Sequence, residues 1–206
     1  MGDAAGQGRR ALIVEAAAGE FDRDGYETAS IAGIARAAGV GQGTLHHHFP
    51  TKLSIARAVI DEQNARTFAA MDFTDVSPVG SLVRASRAIA DLLMHDLVVR
   101  AGIRLSLEHG VLAGATSSFY EQWIAGVVDV FRLGVASGEV GQELSPEQLG
   151  ATVVPYFTGV QLVANVRSGR QDLLPAVATM WQVLVLASVE RAHRERLLAL
   201  VDEWFA

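Results

Sequence analysis

Two stretches of this chain, 148–166 and 173–189, contain no charged residue. Helical segments that long and that apolar have to be covered by a bilayer, a core or another chain. The first holds Gln148, Pro155, Gln161 and Asn165, and the second holds Pro175 and Gln182. A membrane span is more uniformly apolar. Both stretches therefore read as helices buried in a core or an oligomer interface, and no membrane partner is expected. The rest of the chain agrees. Strand alternation is rare, and Gly, Pro, Ser and Asp divide segments of helical length. The expected fold class is all-α.

Composition narrows the function. The chain has 206 residues, 50% of them hydrophobic, enough for one domain or a small one joined to a larger one. Its cysteine count is 0, which removes disulfides, thiolate zinc sites and a cysteine nucleophile. Residues 1–8 are rich in Gly and Ala, and no apolar run of a secretory signal follows, so a cytoplasmic location is expected. There is no G-x-S-x-G elbow, H-E-x-x-H helix or Walker loop, and no strand precedes the glycines of 39–43. Neither an enzyme nor a cofactor is expected. His46, His47 and His48 are consecutive, and neighbours at that spacing on a helix do not converge on a metal.

The helices are placed as follows. A first helix covers about 9–24, with Leu12, Ala16, Ala17 and Phe21 inward, and Gly25 ends it. Thr28 or Ser30 caps a second through Ala38, with Ile31, Ile34 and Ala35 inward. A turn at Gly39-Val40 leads to a third over about 42–47. Phe49-Pro50 breaks it, and Thr51 caps a fourth over about 52–71. Further helices are expected near 78–95, 97–110, 117–138, 146–168 and 172–204, the last breaking near His193. Arg100 and Arg104 stand four residues from Asp96 and Glu108, a spacing that suits ion pairs.

Two short helices around Ala37-Ala38-Gly39-Val40 have the dimensions of a helix-turn-helix. The runs Phe21-Asp22-Arg23-Asp24-Gly25-Tyr26, Ser30-Ile31-Ala32-Gly33-Ile34-Ala35, Ala38-Gly39-Val40, Gly43-Thr44-Leu45 and His48-Phe49-Pro50-Thr51-Lys52 resemble the DNA-binding domain of TetR-family repressors. The runs Ala56–Gln63, Val99–Ser106, Tyr120-Glu121-Gln122-Trp123 and Met180–Leu184 resemble the γ-butyrolactone-receptor branch of that family. The resemblance implies a three-helix DNA-binding domain over 1–51, a linker helix over about 52–71 and a ligand-binding and dimerisation domain over 72–206. It also implies a homodimer on a roughly palindromic double-stranded operator, released by a small apolar effector such as a lactone.

Site residues follow from both readings. Gln42, Gly43 and Thr44 begin the recognition helix, where side chains meet base edges in the major groove. Gln pairs bidentately with adenine, and the Thr methyl meets that of thymine. His46, His47, Thr51 and Lys52, with Thr28 and Ser30, are placed for phosphates. The resemblance sets Trp123 over the ligand and turns Gln63 toward the pocket. Phe119, Tyr156 and Gln161 complete the expected ligand set, and the polar atoms of the last two need buried partners. One feature runs against type. Residues 1–60 hold six basic and six acidic side chains, where DNA binders are usually basic. The family commonly has Ser or Thr where Gly41 stands, Lys at Gln42 and Tyr at His46. A receptor-like paralogue with another ligand and weak or altered DNA binding is the alternative reading.

Overall fold

The computed structural model describes residues 2–71, 77–107 and 113–206. Among these, ten helices follow one another: α1 (Gly2–Thr28), α2 (Ile31–Ala37), α3 (Gln42–His48), α4 (Lys52–Ala70), α5 (Pro78–His95), α6 (Leu97–Leu107), α7 (Ala113–Ala136), α8 (Pro146–Ser168), α9 (Leu173–Ser188) and α10 (Arg191–Phe205). The described residues form no strand beyond one isolated antiparallel bridge, Val140 to Val189.

The chain divides into two compact units. The first holds residues 1–68 and 92–119, the second residues 69–91 and 120–206. In the first, α1 buries Ile13, Val14, Ala17, Ala18 and Phe21. This stripe is turned by one residue from the expected one, and Leu12 is exposed. The helix keeps its partners because 13, 17 and 21 repeat at i, i+4, i+8 against Ile34, Leu45, Ile55 and Val59. At Gly25 the backbone turns to φ 75°, ψ 173°, a conformation glycine adopts at no steric cost. Val98, Ala101 and Leu105 of α6 join the same core, so α6 belongs with the N-terminal helices. Each fully buried aliphatic side chain contributes about 1.5–3 kcal/mol.

Ion pairs fix α4 and α6 in this unit. Arg66 of α4 binds Glu62 at 2.9 Å, Asp96 at 3.0 Å and Glu15 of α1. Asp96 in turn accepts the backbone N–H groups of Val98 and Val99, capping α6. The expected Asp96–Arg100 pair is therefore replaced. Arg100 binds Asp22 at 3.4 Å and donates to the Met94 carbonyl, because Asp96 is already engaged by Arg66. Arg104 donates to the carbonyl of Asp22, and the expected partner Glu108 lies outside the described residues.

The second unit is built on capped helices. Ser145 accepts from the Gln148 N–H while the Gln148 side chain accepts from the Ser145 N–H, a reciprocal cap for α8. Buried Glu139 accepts from the Val79 N–H and the Ser77 hydroxyl, a carboxylate at the positive end of α5. The expected break near His193 occurs earlier, between Ser188 and Arg191. Two hydrogen bonds draw the chain out of helix there: Gly141 N–H to Ser188 O, and Glu190 N–H to Glu139 O.

Helix α8 has the length and apolarity of a membrane span, and one of its faces buries Leu149, Val153, Val154, Phe157, Gln161 and Ala164. Its outward face carries Tyr156, Leu162, Val163 and Val166, and α9 exposes Val183 and Leu186.

Candidate functional site

In the first unit, α2, its turn and α3 form the expected helix-turn-helix. Ser30 caps α2 by accepting from the Gly33 N–H at 3.0 Å. Gly39 stands at φ 65° in the turn. Gly41 precedes α3 without a side-chain cap, so the first N–H groups of α3 have no side-chain acceptor from that position. Along α3 only Leu45 is buried, and it anchors the helix to the core. Gln42, Gly43, His46 and His47 are exposed and Thr44 is half-buried. Thr28, Ser30 and Thr51 are exposed as well. One unit thus gathers every residue expected to face DNA.

Two of these residues have intramolecular tasks. Thr51 caps α4 by accepting from the Ser54 N–H at 3.0 Å, and its own N–H donates to the Ser54 hydroxyl. The Lys52 ammonium donates to the carbonyls of Glu27 and Ala29, each at 3.0 Å, and sits 4.7 Å from the centre of the Tyr26 ring. It closes the end of α1 onto the start of α4, with one of its three N–H bonds left over. His48 meets His47 edge-on at 5.5 Å, and the guanidinium of Arg10 lies 5.2 Å from the Phe49 ring centre.

The expected ligand residues divide between the units. In the first, Gln63 is fully buried. Its amide nitrogen donates to the Thr67 hydroxyl at 3.0 Å, while Oε1 has no hydrogen-bond partner among the described residues. It packs directly over Gly102. Phe119 is buried against Phe68, ring centres 5.3 Å apart.

In the second unit Trp123 stands between two aromatic neighbours. Tyr120 stacks on it at 6.2 Å and Phe157 of α8 meets it edge-on at 5.9 Å. Burial raises the pKa of the Tyr120 phenol above its ordinary value, and a hydrogen bond with Thr158 offsets part of that rise. Gln161, one turn beyond Phe157, is buried with Oε1 lacking a partner among the described residues. The indole N–H of buried Trp181 likewise has none there. An apolar aromatic surface with an unpaired amide oxygen one turn away suits a small amphiphilic ligand.

Tyr156 is not part of this cluster. Five residues separate it from Gln161, which turns it about 140° around the helix. It lines an outward groove of about 430 Å³ with Val163, Arg167 and Asp172. Its expected buried partner is therefore absent because the residue faces outward.

Several contacts were not readable from the sequence. The Glu62–Arg66 pair was visible at i, i+4, but its link to Glu15 joins residues 51 apart in the chain. Tyr120, Thr158 and Trp181 carry no spacing signal, since an aromatic or hydroxyl residue in an apolar helix is most often packing alone.

Known proteins match this chain across its length. Residues 13–59 match the model for bacterial regulatory proteins of the tetR family. The A-factor receptor protein of Streptomyces griseus is 41% identical over 171 residues, 82% of this chain. The chain spans 60% of that relative's length. A crystal structure of full-length tylp, a tetr regulator from Streptomyces fradiae, is 30% identical. Its TM-score is 0.76, with coverage of 96% of this chain and 98% of that one. A crystal structure of a gamma-butyrolactone receptor (ArpA-like protein) has 26% identity and a TM-score of 0.80, covering 98% of each chain.

Proposed function

The chain belongs to the tetR family of bacterial regulatory proteins, and from that premise we propose that it is a ligand-responsive transcriptional repressor. It binds a palindromic operator as a homodimer in the cytoplasm and is released by a γ-butyrolactone-like signalling molecule. The observation that carries this reading is α3. It is anchored by a single buried residue, Leu45, and presents Gln42, Gly43, His46 and His47 outward. A helix so held offers its side chains to a groove rather than to its own core.

Dimerisation follows from the outward faces of α8 and α9. Val163, Val166, Val183 and Leu186 are each about half exposed or more. A second copy related by two-fold symmetry covers all four in a four-helix interface. Two recognition helices then meet successive major grooves about 34 Å apart.

The effector binds beside Trp123, Tyr120 and Phe157 in the second unit. Its alkyl portion contacts the rings and its oxygens meet open groups such as Gln161 Oε1 and the Trp181 N–H. The chain's likeness to the A-factor receptor protein and to a gamma-butyrolactone receptor supports a receptor role. Binding of effector and DNA is reciprocally coupled: whatever factor effector takes from operator affinity, operator takes from effector affinity. Passage from mostly bound to mostly free needs about 5 kcal/mol of differential affinity.

A gel shift of the protein on its own promoter region tests the reading. A discrete complex that dissolves on addition of an alkyl γ-butyrolactone supports it. A protein that binds the lactone but shifts no duplex favours the receptor-like paralogue. That second reading draws on one observation: the lone lysine of the chain, Lys52, is committed to the Glu27 and Ala29 carbonyls, and residues 1–60 carry zero net charge.

A further inference from the structure

A reading head of zero net charge still has to hold a polyanion. Of the six basic residues in 1–60, Arg23 is held by Glu20 and Asp24, and Lys52 by two carbonyls. Arg9, Arg10, Arg36 and Arg57 are exposed, with no carboxylate partner among the described residues. Only one of these four is fixed against the helix-turn-helix. The Arg10 guanidinium lies over the ring of Phe49, the residue that ends α3. Phe49 is 3% exposed, so its ring is packed into the core and the arginine rests on a buried support. Directly after it come exposed Pro50 and Thr51, and directly before it exposed His47 and half-buried His48.

We propose that Arg10 is a phosphate-contacting residue of the DNA interface, held in place by the Phe49 ring. The inference rests on the operator-binding reading above and adds to it a contact outside the helix-turn-helix. Stacking uses the face of the guanidinium and leaves its edge N–H groups free. Those donors match a phosphate bidentately, whereas a lysine in the same place offers a point charge and no planar stack. Holding the side chain against a core-packed ring lowers the rotamer entropy lost on binding. Arg10 thereby takes over part of the electrostatic work that Lys52, bound to carbonyls, performs with at most one N–H.

The test measures binding of the full-length protein to its operator and to a random duplex by fluorescence anisotropy, over a series of salt concentrations. Arg10→Gln, Arg10→Lys and Arg9→Gln are compared with the unsubstituted protein, and each variant's thermal melt is recorded. One phosphate contact per protomer means two per dimer. Arg10→Gln is expected to make the slope of log Kobs against log salt shallower by about two. It should weaken operator and random duplex by the same factor, about tenfold or more. Arg10→Lys should retain most of the slope and lose part of the affinity. Arg9→Gln, which alters a side chain with no ring or carboxylate support among the described residues, should change the slope by less than half as much. An unchanged slope with Arg10→Gln, or equal losses for Arg9→Gln and Arg10→Gln, overturns the inference alone. Failure of the unsubstituted protein to bind any duplex at low salt overturns the operator-binding reading, and the inference with it.

Discussion

Gly102 sets how closely α4 and α6 approach, and replacing it tests whether that approach is as tight as described. A Cβ built at 102 meets Gln63 Cγ at 2.7 Å and Gln63 Cβ closer still. An ordinary carbon–carbon contact is about 3.5 Å. The helices must part by the better part of an ångström, because the obstructing Cβ is fixed to the α4 backbone and cannot rotate away. Overpacking of this kind costs about 1–3 kcal/mol. Replacing a mid-helix Gly by Ala returns about 1 kcal/mol of backbone entropy. Because the obstructing atom is a backbone-fixed Cβ, the cost falls in the upper part of that range, and Gly102→Ala should destabilise by up to about 2 kcal/mol, several degrees of melting temperature for a chain this size. Gln63→Ala leaves its Cβ in place and should not rescue Gly102→Ala, whereas Gln63→Gly should. Melts followed by circular dichroism at fixed protein concentration give the comparison. A Gly102→Ala protein as stable as the parent, or more stable, refutes the packing argument, since propensity would then have outweighed contact.

Three other substitutions follow. Trp123→Ala removes the central ring of the aromatic cluster and should leave operator affinity unchanged while abolishing release by lactone; normal release in an anisotropy titration contradicts the pocket assignment. Gln42→Ala, at the exposed start of α3, should weaken operator binding by about 1–3 kcal/mol while sparing random duplex; equal losses on both remove its role in base reading. Val166→Glu places a charge at a position 79% exposed in the single chain and covered in the proposed dimer. It should yield a monomer of unchanged helicity by sedimentation, and a persisting dimer shows that the interface lies elsewhere.

The fold was largely legible because its signals are local. Gly25, Gly39 and Phe49-Pro50 punctuate the N-terminal helices, and Ser145 and Gln148 mark the start of α8. What escaped depends on tertiary partners. Periodicity gave α1 an apolar stripe, but which of Leu12 and Ile13 turned inward was decided by Ile34 and Leu45 across the core. Arg100 lost its neighbour Asp96 because Arg66, thirty residues away, reached it first. The residues proposed to face DNA come from one contiguous motif. Those proposed for the effector come from separate helices, and periodicity alone did not tell which side of α8 Tyr156 and Gln161 occupy. The neutral charge of the head was also plain in the sequence. Its consequence for Lys52 and Arg10 needed the two carbonyls and the ring that hold them.

The central claim, that this chain reads an operator and lets go of it for a lactone, meets its most direct test in one selection experiment. The protein is used to capture duplexes from a random library, and the captured complexes are then challenged with a panel of alkyl γ-butyrolactones. The account predicts enrichment of a palindrome whose half-sites lie about one helical turn or a multiple of it apart. It also predicts saturable release by at least one lactone, lost in Trp123→Ala. Enrichment of no palindrome, or complexes equally stable with every lactone in the panel, contradicts it.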